Sequence, residues 1–284
     1  MEASFIFSEE NLFLIVIGII WIIVAVLQDF KRREVDNIWN FSLIAIALAY
    51  RASVSVFNLD YWFLLNGLIG LGIFFILGHL FYYSRLFAGG DAKLMIAMGP
   101  ILTLSYDWML NVQIFVAFIV LFLFGGSIYA LVYSFILILN NKKEFSREFV
   151  RFFRRYKKMF LISFVFFILW AVFSFFIDLR LIFTGFVVML FPVLFSFAKA
   201  IEESCLVKKV EPNKITIGDW LYKDIVINGK KIKASWDGVS KKQLELIKKS
   251  KRKILVRYGI PFTPSFLIGI IGLFILCLNY EWLF

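Results

Sequence analysis

Long apolar runs alternate with short charged interruptions along most of this chain. A helix needs about 20 apolar residues to cross a bilayer core, with a range of roughly 17–25. Eight runs approach that length: 11–28, 38–57, 61–83, 92–105, 109–139, 159–177, 181–198 and 265–283. The fourth is too short for a full crossing unless neighbours shield its ends. The fifth is long enough to tilt, or to bend at Gly125-Gly126. The pattern predicts an all-α polytopic membrane protein of about six to eight transmembrane helices, with a small α+β cytoplasmic domain.

That small domain is read from 204–258, the one sizeable polar stretch. Lys214 to Ile227 reads as extended structure. Asn228-Gly229 is a type I′ hairpin signal because both residues accept positive φ, and Lys230 to Ser235 is the returning strand. Ser240 with Gln243 forms a capping box that opens a helix over Lys241–Lys253. Ile254 to Arg257 reads as a further strand. About 55 residues make a marginal independent domain, so it is expected to lean on the membrane helices. Pro261 and Pro264 end it and introduce the last span. The resulting division is 1–105 as a compact helical core, 106–203 as further spans with a basic loop at 141–158, 204–258 as the soluble segment and 259–284 as the closing span.

Composition and charge add orientation. The chain is 61% hydrophobic, against about 45–50% for soluble domains, and its mean hydropathy is +0.85. Of the 31 Lys and Arg residues, 29 fall in loops that alternate counting assigns to one side; only Arg51 and Arg180 fall on the other. The positive-inside rule makes the crowded side cytoplasmic and, with an even number of crossings, puts both termini outside. Eight crossings agree with this sidedness. Glu2, Glu9 and Glu10 precede the first run with no base among them, the reverse of a signal peptide's n-region, so that run is expected to stay as a membrane anchor. The net charge of +11 is accounted for by inner-leaflet headgroups, which attract Lys and Arg, and membrane lipids rather than nucleic acid are the expected partner. Cys205 and Cys277 fall on the polar segment and inside a span, a pair suited neither to a disulfide nor to a zinc site.

Two further features have bland readings. Phe145, Phe149 and Phe152 share one helical face of the basic loop, which predicts an amphipathic helix lying on the inner leaflet. His79, the single histidine, lies inside the third span and reads as a packed, hydrogen-bonded residue, not a ligand.

The chemistry points to two aspartates at ends of spans on the same side. Asp29 closes the first run and is followed by Lys31, Arg32 and Arg33; Asp91 follows Ala88-Gly89-Gly90 and precedes Lys93. A charged carboxylate at the centre of a span costs roughly 2.5–3.5 kcal/mol on insertion scales, and less near the interface. Taken singly, Asp91 is also a good N-cap for a helix beginning at Ala92, and Asp29 a solvated helix end. Taken together, two carboxyls on one face suit peptide hydrolysis, in which one ionised group activates water and one protonated group bonds the scissile carbonyl. A close pair shares a single proton and titrates as a unit. Gly89-Gly90 gives the backbone room to deliver Asp91 beside another helix. Gly67, Gly70, Gly72 and Gly78 on the third span suit close helix contacts in lipid.

The segment Asp29-Phe30-Lys31-Arg32-Arg33-Glu34-Val35-Asp36-Asn37 resembles the first-aspartate segment of type IV prepilin peptidases and archaeal preflagellin peptidases. Ala88-Gly89-Gly90-Asp91-Ala92-Lys93 resembles their Gly-x-Gly-Asp motif with its trailing Lys. Over 204–264, Gly218-Asp219-Trp220, Asp237-Gly238-Val239-Ser240 and Gly259-Ile260-Pro261-Phe262 resemble the soluble segment of the archaeal members. The resemblance implies an intramembrane-type aspartyl peptidase with Asp29 and Asp91 as the catalytic pair, supported by Gly89, Gly90 and Lys93. It implies archaellin or pilin-like precursors as clients, and it calls for no metal or organic cofactor. The chain departs from the pattern at Ala88, where the motif has Gly, and at Asp36, where bacterial members usually have Pro. It also lacks their paired Cys-x-x-Cys segments and any sign of N-methylation. Glu34 and Asp36 offer carboxylates to a basic leader; the simpler reading is that they offset Arg32 and Arg33. The rivals are a transporter using intramembrane carboxylates and a non-catalytic assembly protein that binds pilin-like helices.

Overall fold

A computed structural model describes residues 8–227, 229–250 and 252–279. The helices are α1 (Glu9–Arg32), α2 (Asn37–Phe57), α3 (Tyr61–Tyr83), α4 (Gly89–Leu102), α5 (Trp108–Asn140), α6 (Lys142–Arg155), α7 (Lys157–Ile177), α8 (Ile182–Ile201), α9 (Lys241–Lys248) and α10 (Pro264–Asn279). Six of them are long and apolar enough to cross a membrane, so the chain is a multi-pass membrane protein. Two of the eight sequence runs fall short. Helix α4 has 14 residues, about 21 Å at 1.5 Å per residue, against a core of about 30 Å. Helix α10 has 16 among the described residues, and residues 280–283 of its run lie outside them.

The chain divides into two compact units, 1–131 with 261–284, and 132–260. In the first, α1 to α4 pack in sequence around a core that includes Leu14, Ile22, Phe74, Leu94, Met98, Phe118 and Phe266. Helix α4 is the most buried, and its tight neighbour is α3. A Cβ on Gly99 would lie 2.5 Å from the Gly70 carbonyl oxygen, and one on Gly70 would lie 2.7 Å from that of Gly99. A Cβ on Gly78 would sit 2.8 Å from the Ala92 carbonyl oxygen. Gly72 does not share this role, since nothing lies within 4 Å of its Cβ position. Gly99→Ala is therefore expected to destabilise by roughly 1–3 kcal/mol through overpacking, more than the helix-propensity gain of about 0.8–1 kcal/mol. Gly72→Ala is expected to be neutral or slightly stabilising. Unfolding midpoints in detergent check both.

Polar residues inside the apolar helices have a shared task. Backbone that leaves helical geometry inside a membrane protein must find partners within the protein. Residues 103–107 are such a stretch. The Asn111 side-chain oxygen accepts from the N–H groups of Leu104 and Ser105, both at 3.0 Å, and its amide donates to the Ser105 carbonyl at 2.7 Å. Asn11 donates to the Leu104 carbonyl at 2.7 Å. Arg51, which charge counting assigned to the outer side, is fully buried. It donates to the carbonyls of Pro100 and Phe63, each at 2.8 Å, and to that of Thr103.

In the second unit, the apolar face of α6 is occupied by protein: Phe152 is buried and the Phe145 ring meets Phe197 of α8 at 5.6 Å. Strands β1 (Val207–Val210), β2 (Trp220–Leu221) and β5 (Ile254–Arg257) form an antiparallel sheet in the order β1-β5-β2. Strands β3 (Ile225–Ile227) and β4 (Lys230–Ile232) pair as a hairpin, with Gly229 at φ 76°. Asn228, the other half of the expected turn signal, lies outside the described residues. The extended segment expected from Lys214 is broken up, with only 220–221 and 225–227 in strands, and the returning strand stops at Ile232. The capping box of Ser240 and Gln243 is present, though α9 ends at Lys248 rather than Lys253. Ile215, Leu221, Ile227, Ile232, Val239, Ile247, Ile254 and Val256 form the core of this segment. Lys231, with the Ala234 N–H, holds the Asp224 carboxyl below the usual carboxylate range. The hydrogen bond to Glu203, followed by burial, pushes the Tyr222 phenol up.

Candidate active site

Asp29 continues the buried stripe of α1. Leu14, Gly18, Ile22, Ala25 and Asp29 are all buried, at spacings of three and four that place them on one helical face. Its relative exposure is 7%, so the solvated-helix-end reading does not describe it. The helix closes at Arg33, which adopts φ 60° and returns its N–H to the Asp29 carbonyl at 2.8 Å. That left-handed residue turns the chain so that Val35 is buried beside Gly90: a Cβ on Gly90 would meet the Val35 N at 3.5 Å.

Asp91 is not an N-cap. Helix α4 starts at Gly89, with Ala88 as its extended N-cap residue, and Asp91 is the third helical residue. Its carboxyl lies near the Ala88 N–H, which places an acidic group at the positive end of the helix dipole. Asp91 and Asp29 interact electrostatically across the gap between the two segments.

The two motifs are tied together by side chains. Lys93 Nζ donates to Asn37 Oδ1 at 2.5 Å, and the Asn40 amide donates to the Gly90 carbonyl at 3.4 Å. The lysine after the second aspartate therefore holds the asparagine after the first. Gly89 and Gly90 are not demanded by packing in this arrangement: a Cβ on Gly89 would meet only Tyr82, at 3.8 Å. Asp36 accepts from Arg32 at 3.2 Å, and its N–H donates to the Gln28 side chain at 3.0 Å. Glu34 is exposed. His79 lies well apart in the chain, its ring nitrogen 2.8 Å from the Phe75 carbonyl oxygen, with the Phe75 ring against it. Asp107 Oδ1 accepts the Met109 N–H at 2.9 Å, at the start of α5. Among the described residues no group of three His, Cys, Asp or Glu side chains is placed to hold a metal ion.

One partner of Asp29 escaped sequence reasoning. Thr263, 234 residues further on, donates its hydroxyl to Asp29 Oδ2 at 2.9 Å and its N–H to the same oxygen at 3.2 Å. The preceding Gly259-Ile260-Pro261-Phe262 contains nothing local that announces a carboxylate partner.

The two carboxyls thus sit at helix ends whose flanking segments are bonded to each other. Residues 16–138 match the type IV leader peptidase family. That stretch holds both aspartates and α2 to α4 entire. The chain is similar to a preflagellin peptidase of Methanococcus maripaludis, 32% identical over 136 residues, which is 44% of this chain and 57% of that protein. It is also similar to one from Methanocaldococcus jannaschii, 25% identical over 87 residues, 31% of this chain and 37% of that protein. The matches thus span less than two thirds of either relative's length. No solved structure matches the chain.

Proposed function

We propose that this chain is a membrane aspartyl endopeptidase that removes the short basic leader from archaellin or type IV pilin-like precursors at the cytoplasmic face, with Asp29 and Asp91 as its catalytic pair. The observation that carries this reading is the convergence of the two motifs: Asp29 and Asp91 within electrostatic reach, with Lys93 bonded to Asn37 across them.

The chemistry follows from two carboxyls that share one proton. The ionised carboxyl accepts a proton from water as the water oxygen bonds to the scissile carbonyl carbon. The protonated partner gives its proton to the carbonyl oxygen, producing a tetrahedral diol. When that diol collapses, the C–N bond breaks and the amine leaves with a proton from the first carboxyl. The second takes back the proton it gave, so the pair ends with one proton as it began. The apolar helix behind the client's leader lies along the spans, and the leader stays on the side rich in Lys and Arg. Glu34 is the carboxylate best placed by its exposure to meet the leader's bases; Asp36 already pairs with Arg32.

A transporter would place its carboxylates near mid-span, at breaks in related halves. Asp29 lies in the last turn of α1 and Asp91 in the first turn of α4. The test is incubation of the purified chain with a panel of archaellin and pilin-like precursors, with product masses read directly. A single cut between leader and apolar helix is the expected result. Tight binding of the precursors without any cut would overturn the reading in favour of an assembly protein.

A further inference from the structure

Asp29 has a carboxyl torsion of the broad, roughly two-fold kind, which the backbone does not fix. In this protein the connection into α10 supplies what the helix cannot. The Thr263 hydroxyl and N–H both donate to Oδ2. Thr263 is fully buried. Its carbonyl accepts the Phe266 N–H at 3.0 Å, and the Phe262 carbonyl accepts that of Ser265 at 3.0 Å. The first turn of α10 thus bonds to the backbone carbonyls and leaves the Thr263 hydroxyl for Asp29. Phe262 itself is anchored by the rings of Phe122 and Phe87, at 5.5 and 5.9 Å.

We infer that Thr263 is a positioning residue for the reaction: it clamps Asp29 through Oδ2 so that Oδ1 is the oxygen presented to water and to Asp91. This rests on the peptidase reading. The atom assignment needs only donor chemistry. A backbone N–H can donate but not accept, so Oδ2 is an acceptor and any proton on Asp29 sits on Oδ1. Proton traffic at Asp29 then passes through one oxygen in a fixed orientation. The clamp comes from the far end of the chain, so the site is complete only when the connection into α10 is seated on α1.

The test compares wild type, Thr263→Val, Thr263→Ser and Asp29→Asn in leader cleavage, with unfolding followed in detergent. Val keeps the shape of Thr without the hydroxyl; Ser keeps the hydroxyl. Misplacing a catalytic group costs up to about 10²-fold, so Thr263→Val is expected to lower kcat by roughly 10- to 100-fold with KM within about twofold. Thr263→Ser is expected to recover most of that loss. Thr263→Val cleaving like wild type while Asp29→Asn is dead would overturn the clamp and leave the peptidase reading standing. Equal losses in the Val and Ser variants, with lowered unfolding midpoints, would reduce Thr263 to a packing role and also overturn it. An Asp29→Asn variant that still cleaves would overturn both.

Discussion

Asp29→Asn and Asp91→Asn are each expected to reduce leader cleavage by roughly 10²–10⁴-fold, the usual contribution of a positioned acid or base, and the double variant is expected to be no worse than either single one. The second half of that expectation discriminates more sharply. Groups that act as a unit are grossly non-additive, because removing one leaves the other nothing to do. The two carboxyls are held separately: Asp29 is bonded by Thr263, Asp91 sits in the first turn of α4, and Lys93 and Asn37 join the segments. Neither carboxyl holds the other, so replacing one should not displace its partner. Folding is expected to survive, since an amide oxygen at position 29 still accepts from Thr263. Steady-state cleavage of one precursor by the four proteins, with unfolding midpoints alongside, measures all of this. Losses that multiply in the double variant would mean two independent roles and would rule out a dyad.

Much of this site is legible because its determinants are local. The chain writes Asp29 and Asn37 within one turn region and Gly89 to Lys93 within another, and spacing places Asp29 on the stripe that begins with Leu14. What local sequence does not show is partnership across the fold. Thr263 sits in a connection whose role depends on where α10 lands. Reading Asp91 as an N-cap starts α4 at Ala92, whereas the folded helix opens at Gly89 and carries Asp91 as its third residue. The small-residue reading of α3 describes Gly70 and Gly78, which lie against the backbone of α4, but not Gly72, which lies on the same helix facing open space. Spacing along α3 cannot separate these without knowing which face α4 takes.

Arg51 is the clearest case of a residue whose role the pattern hid, and Arg51→Leu is expected to be the most destabilising single substitution in the first unit, by about 3–5 kcal/mol. Counting loops by side treats every base near a span end as a mark of orientation. This one is fully buried and has no carboxylate partner among the described bonds; its guanidinium bonds three backbone carbonyls instead. Two of them, Pro100 and Thr103, lie at the C-terminal end of α4, where carbonyls lack intrahelical partners and the dipole is negative. The third, Phe63, is on α3, and the guanidinium carbon also lies 4.5 Å from the centre of the Phe63 ring. Gly67 makes the space: a Cβ there would fall 2.3 Å from Arg51 Cδ. Hydrogen bonds to a charged group contribute about 1.5–3 kcal/mol each, and buried acceptors left unpaired add their own desolvation cost; incomplete additivity and relaxation bring the sum down to the value given. The consequence reaches the candidate site. Arg51 fixes the far end of the same short helix whose first turn carries Asp91, so loosening it should blur the position of that carboxyl without touching it. Arg51→Leu is therefore expected to lower both the unfolding midpoint in detergent and kcat. Arg51→Lys is expected to recover little, because a single ammonium lacks the planar fork that reaches three carbonyls at once. Wild-type stability in the Leu variant would show that the three carbonyls find other partners and that the end of α4 does not depend on this side chain.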